Sequence, residues 1–130
     1  MKSVVSYCFY KIFSSVENIS DCGSLILPAT TLADNCYSDM FSGCTSLTQA
    51  PALPATTLAN LCYNSMFLSC TSLTQAPELP ATTLADSCYI GMFNGCSSLT
   101  QAPAIKTYTP KLSAFDSMLG MFDYYASAWG

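Results

Sequence analysis

The sequence predicts an α/β repeat solenoid with one short strand and one helix in each 26-residue repeat. The motif LPATTL begins at Leu27, Leu53 and Leu79, so the step is 26 residues both times, without insertion or deletion. A fixed step of this size is typical of solenoids. Within one repeat, apolar residues first follow a helical spacing and then form a short run before a proline, which indicates two elements per repeat.

The helix is predicted over about residues 32–42 of the first repeat. Four apolar residues lie at intervals of four: Leu32, Cys36, Met40 and Cys44. This spacing gives one apolar stripe on a helix. Thr31 can serve as the N-cap, and Thr57 and Thr83 recur at the same place. Gly43 suits a left-handed C-cap and ends the helix.

The strand is predicted in the segment 47–50, which is too short and too close to a proline for a second helix. Stacked repeats would place one leucine of each in a column about 4.8 Å apart, within a parallel ladder. The column would contain Leu47, Leu73 and Leu99. Pro51 and its two equivalents lack the N–H that a ladder needs, so they mark its edge or end.

The chain divides into three parts. Residues 1–26 hold an N-terminal partial repeat or cap, because SYCFYKIF (6–13) resembles NCYSDMF (35–41) and reaches LPATTL through an insertion of two residues. Residues 27–104 hold three 26-residue repeats, and residues 105–130 hold a degenerate repeat with a C-terminal aromatic cap. One repeat cannot bury its apolar face alone, so stability is expected to accrue along the stack.

Composition and charge argue against several classes of function. The chain has 130 residues, of which 51% are hydrophobic and only 9% are charged, and its net charge is -4. The four lysines lie outside the three repeats, so no nucleic acid is expected as a partner. No apolar run reaches the roughly 18–20 residues that span a bilayer, so no transmembrane segment is expected. No clear export signal is present.

Eight cysteines leave three interpretations open: buried thiols, disulfides or a zinc site. They are Cys8, Cys22, Cys36, Cys44, Cys62, Cys70, Cys88 and Cys96. Six of them occupy two fixed repeat positions on the apolar stripe, which favours small buried side chains. The chain has no histidine and no C-x2-C pair, so we expect no metal and no cofactor.

Catalysis is not expected. Without histidine, a Ser-His or Cys-His nucleophile cannot form. The carboxylates of the repeats, such as Asp34, Asp39 and Glu78, occupy scattered positions, whereas paired acid–base chemistry needs a shared, partly buried site. We therefore expect no enzyme and no catalytic residue.

The stretch CYSDMFSGCTSLTQAPALPATTLA (36–59) resembles the repeats of BspA-like leucine-rich repeat proteins of bacterial surfaces. The resemblance covers essentially residues 6–104, and the family's order of aromatic-plus-cysteine helix, leucine-centred strand and proline-bearing turn recurs three times. It implies a leucine-rich-repeat solenoid. It further implies a protein of the cell surface or a secreted protein, one that acts in adhesion by binding other proteins.

Two binding surfaces are predicted. Polar columns beside the strand could bind a protein partner or could satisfy one another as amide and hydroxyl ladders; they comprise Thr48, Gln49, Thr74, Gln75, Thr100 and Gln101. Aromatic residues near the C-terminus could cover the last repeat or anchor a partner; they are Phe115, Phe122, Tyr124, Tyr125 and Trp129. The first hypothesis is a protein-binding module, and the second is a structural protein that self-assembles end to end as a homo-oligomer.

Overall fold

The computed structural model describes residues 5–7 and 9–104, and within them the backbone forms four stacked coils. We number them coil 1 (5–26), coil 2 (27–52), coil 3 (53–78) and coil 4 (79–104). Main-chain N–H groups of one coil donate to carbonyls of the next. Tyr37 donates to Cys62 at 3.0 Å, and Tyr63 donates to Cys88 at 3.0 Å.

The helix predicted over 32–42 is wrong, because no helix occurs anywhere in the described parts of the chain. The reason is in the backbone: Asn35, Asp39 and Gly43 have φ values of 60°, 55° and 77°. A right-handed helix needs negative φ at every residue. A left-handed residue at every fourth position therefore interrupts it. Thr31, predicted as the N-cap, has no helix to cap.

What replaces the helix is a run of overlapping turns, which we call the turn ribbon (34–43, 60–69 and 86–95). Every second N–H donates three residues back, as Cys36 does to Ala33 at 3.2 Å and Met40 to Tyr37 at 3.2 Å. The N–H groups between them donate to the next coil. Positive φ at the third residue of a turn, as at Asn35, is the geometry of type II turns.

The described residues contain no named strand, and their pairing is limited to isolated parallel bridges. The ladder predicted at 47–50 is present only where Gln49 pairs with Asp21. The longest column of bridges joins Thr31, Thr57 and Thr83 instead. Leu32 N–H donates to the Thr57 carbonyl at 3.0 Å and Leu58 N–H to that of Thr83 at 2.9 Å. The predicted strand position is therefore corrected to the threonines.

The core lies inside the coils and is built from equivalent residues of each. One column of stacked rings contains Phe13, Phe41, Phe67 and Phe93, with centroids 5.5–5.6 Å apart. A second contains Phe9, Tyr37, Tyr63 and Tyr89 at 5.6–6.0 Å. Cysteines, methionines and the leucines Leu47 and Leu73 fill the space beside them. Repetition thus produces a continuous apolar interior.

Coil 1 pairs with coil 2 at a shift of 28 residues rather than 26. Phe13 stacks on Phe41, and Ser15 N–H donates to the Ser42 carbonyl at 2.7 Å. The two additional residues lie before Leu27, where the regular step of 26 begins. Within the described residues, no helix has the length and apolar character to cross a membrane.

Candidate functional site

A groove opens on the surface where coils 2 and 3 meet, with a volume of about 440 Å³. Its lining comes from two equivalent stretches, QAPALP (49–54) and QAPELP (75–80), and from Gly23 of coil 1. Four prolines contribute rigid apolar rings: Pro51, Pro54, Pro77 and Pro80. Proline has no N–H and a fixed φ, so these stretches cannot join into a regular ladder.

Two of the six predicted columnar residues, Gln49 and Gln75, line this groove. Thr74, Thr100 and Gln101 are exposed but do not line it. Thr48 is exposed as well, and its hydroxyl donates to the Ser20 carbonyl at 2.8 Å. The structure therefore brings together part of the predicted set.

The side chains of Gln49 and Gln75 make no hydrogen bond to each other or to any other described residue. The amide ladder that the sequence left open is thus not formed between these two. Each amide has two donors and an acceptor with two lone pairs. Both are consequently available to a molecule in the groove.

Glu78 is the one charged residue among those lining the groove. The carboxylate of Asp21 accepts the N–H of the lining residue Gly23 at 2.8 Å. Residues 27–104 contain no lysine or arginine, so no cation of the repeats offsets this charge. The groove therefore combines apolar rings, neutral amides and a weak negative potential.

The cysteines of the repeats lie in the core, away from the groove. The described ones are thiols, and three of them donate to phenylalanine carbonyls: Cys44 to Phe13, Cys70 to Phe41 and Cys96 to Phe67, at 3.0–3.1 Å. Burial raises the pKa of Cys70 and raises that of Cys96 to about 12. A thiol that resists ionisation is a poor nucleophile and a poor metal ligand.

Among the described residues, no cluster of three or more cysteine, aspartate or glutamate side chains has the arrangement of a metal site. The predicted aromatic cap, from Phe115 to Trp129, lies outside the described residues. Sequence reasoning did not assign Glu78 or the prolines to a site. The available signal was the pair of prolines three apart, Pro51 with Pro54 and Pro77 with Pro80, recurring beside a glutamine.

Comparisons with protein-family models, curated proteins and solved structures find no match for this chain.

Proposed function

We propose that this chain is a non-catalytic protein-binding module that holds a segment of its partner in the groove between coils 2 and 3. The observation that carries the proposal is the pair of exposed amides, Gln49 and Gln75, on opposite sides of a proline-lined groove. Neither amide is used inside the described structure. Amides and apolar rings are the chemistry that recognises a polypeptide.

The repeat architecture supports a polypeptide partner. The two stretches that line the groove have the same spacing of polar and apolar groups, so they match a ligand that repeats along its length. Catalysis would need a nucleophile or an acid–base pair, whereas Glu78 is the one titratable side chain lining the groove. Binding is therefore the simplest activity consistent with these side chains.

The leucine-rich-repeat class and a location at a bacterial surface stay predictions based on the resemblance of residues 36–59. Adhesion through a protein partner fits both. The stacked coils support a solenoid, because each coil bonds mainly to its neighbours along the stack.

A phage-displayed library of random decapeptides, selected on the immobilised chain, tests the proposal. Ala52 lies on the wall of the groove and is exposed, so Ala52→Trp would fill the groove without disturbing the core. Ala104→Trp is the matched control, at the equivalent position of coil 4 and outside the groove. We expect selected peptides to lose at least tenfold in affinity for Ala52→Trp and little for Ala104→Trp. No enrichment, or equal losses, would refute the proposal.

End-to-end self-assembly is a second candidate, favoured by the open edge of coil 1. The carbonyls of Tyr10, Ile12 and Ser14 accept no hydrogen bond from any described residue, while their equivalents in coil 2 accept N–H groups from coil 1. Apolar side chains of the same coil are exposed: Val5 by 73%, Tyr7 by 57%, Tyr10 by 40% and Ile12 by 52%. An unpaired edge recruits other chains.

Light scattering across a concentration series tests this candidate. Assembly predicts a mass that grows above 13.9 kDa and a loss of growth in Ile12→Lys. Ile26→Lys makes the same change at an exposed residue outside the turns of coil 1, and it should not alter the mass. A constant mass near that of one chain would exclude self-assembly.

A further inference from the structure

The same sequence, LTQ, is paired differently in coils 2 and 3. In coil 2, the N–H groups of Thr48 and Gln49 donate to the Ser20 carbonyl at 2.7 and 3.3 Å. In return, Cys22 N–H donates to the Gln49 carbonyl at 2.8 Å. This is the parallel bridge between Asp21 and Gln49. Gln75, the equivalent residue of coil 3, has no such bridge in the described residues.

Four main-chain groups of Thr48, Ala50 and Gln75 lie at the groove or next to it in the sequence. The Thr48 carbonyl and the Ala50 N–H of coil 2 are the counterparts of the Ser20 and Cys22 groups through which coil 1 pairs with coil 2. The N–H and carbonyl of Gln75 are the counterparts of the two Gln49 groups that pair with coil 1, but Gln75 lies at a bend of the backbone. None of the four makes a hydrogen bond to a described residue.

At the other end of the stretch, Leu53 N–H and the Glu78 carbonyl are not joined, whereas the equivalent Leu79 N–H donates to the Ala104 carbonyl at 2.9 Å. Coils 2 and 3 nevertheless bond closely elsewhere, for example from Phe41 to Met66 at 2.8 Å. The missing bonds between coils 2 and 3 therefore lie in this stretch, and Thr74 and Gln101 are likewise not joined between coils 3 and 4.

Resting on the proposed function, we infer that the partner is an extended polypeptide segment that pairs its main chain with Thr48, Ala50 and Gln75. One extended segment presents donors and acceptors along its edge, so it can supply the partners that these groups lack. The chain contains its own example, since residues 20–22 pair in this way with Gln49. Adding a strand converts unused polar groups into bonds.

Charge defines the segment further. Glu78 lines the groove, the Asp21 carboxylate bonds to the lining residue Gly23, and residues 27–104 contain no lysine or arginine. A segment with a lysine or arginine near Glu78 complements this potential, whereas an acidic segment is disfavoured. Side chains that face Ala50, Ala52 and Ala76 have room, because those residues are small.

The experiment scans the selected decapeptides with backbone N-methyl groups, one residue at a time, and measures affinity for the intact chain. N-methylation removes one donor and leaves the side chain. We expect losses of at least fivefold at alternate residues, since the N–H groups of one strand edge alternate. On the protein, Ala50→Pro removes a groove N–H, and Ala102→Pro makes the same change outside the groove. Only Ala50→Pro should weaken binding.

The outcomes separate the inference from the proposed function. Peptides that bind, lose affinity for Ala52→Trp and tolerate every N-methyl group would overturn main-chain pairing and leave the groove as the binding site. Failure to select any peptide would overturn both. For charge, Glu78→Gln should reduce the affinity of lysine-bearing peptides about twofold to fivefold. Selected peptides with acidic residues and no basic ones would overturn that part.

Discussion

At the scale of single residues, the left-handed positions of the turn ribbon govern which side chains are tolerated. Gly95 has a φ of 79°, and a Cβ built on it would lie 3.3 Å from the Cα of Ser69 in the preceding coil. Ser69 occupies the equivalent position of coil 3 with a φ of 59° and already carries a Cβ. These two positions therefore differ in how they tolerate alanine.

Gly95→Ala is expected to lower the free energy of unfolding by about 1–2 kcal/mol, because it adds left-handed strain and a close backbone contact. Ser69→Ala keeps the existing Cβ and should change it by less than about 0.5 kcal/mol. Urea unfolding of both variants measures the difference. Equal effects would show that the glycine is not required at its position.

Buried thiols make stability depend on alkaline pH. Burial raises the pKa of Cys62 and of Cys70, and raises that of Cys96 from 9.0 to about 12. Between pH 9 and about pH 12, the Cys96 thiol loses its proton in the unfolded state and keeps it in the folded state. The stabilising contribution is therefore complete below pH 9 and is lost as pH rises toward 12.

Each such thiol is expected to reduce the free energy of unfolding by about 1.4 kcal/mol per pH unit above pH 9. Urea unfolding between pH 7 and pH 10.5 measures this slope. Cys96→Ala removes one titrating group, so its slope should be shallower than that of the unchanged chain. A stability independent of pH over this range would contradict burial of the thiols.

At the scale of elements, the sequence predicts which residues stack in the core better than it predicts the backbone conformation of those residues. Cys36, Met40 and Cys44 point inward in the structure, as a period of four requires. Over two turns, that period fits a helix and a turn ribbon equally well, so it could not distinguish them. Asn, Asp and Gly adopt positive φ more readily than other residues, so Asn35, Asp39 and Gly43 are consistent with left-handed positions. Leu61 has a φ of 59°, which its residue type does not indicate.

The groove was only partly predictable for a related reason. Gln49 and Gln75 stand out because they recur, and recurrence is visible in one sequence. Whether two identical stretches pair or separate depends on the neighbouring coil. The Ser20 carbonyl accepts the N–H groups of Thr48 and Gln49, whereas the Thr48 carbonyl accepts none from coil 3.

The phenylalanine column is the element on which most core packing depends. Phe67 is fully buried between Phe41 at 5.6 Å and Phe93 at 5.5 Å, whereas Phe13 is partly exposed and stacks on Phe41 alone. Phe67→Ala should therefore cost about 3–5 kcal/mol in the free energy of unfolding, and Phe13→Ala about half as much. Urea unfolding compares them. A larger loss for Phe13→Ala would contradict the stacked arrangement.

At the scale of the whole molecule, a stack in which each coil bonds to its neighbours should open from its ends. Coil 1 contacts one neighbouring coil among the described residues. Hydrogen exchange of its amides can therefore be compared with that of the interior coils. Phe13 N–H donates to Met40 at 3.0 Å, whereas Phe41 N–H, one coil further in, donates to Met66 at 2.8 Å. The two bonds are alike locally, so any difference in protection reflects position in the stack.

Native-state hydrogen exchange should therefore show Phe9 and Phe13 amides exchanging at least tenfold faster than those of Phe41 and Phe67, since the end coil can open without disrupting the others. The same measurement at several protein concentrations also tests self-assembly. If copies assemble through the open edge of coil 1, protection of Phe9 and Phe13 should rise with protein concentration, because the end becomes an interior position. Uniform protection at every concentration would mean that the coils unfold as one unit, and that nearest-neighbour stacking does not describe this chain.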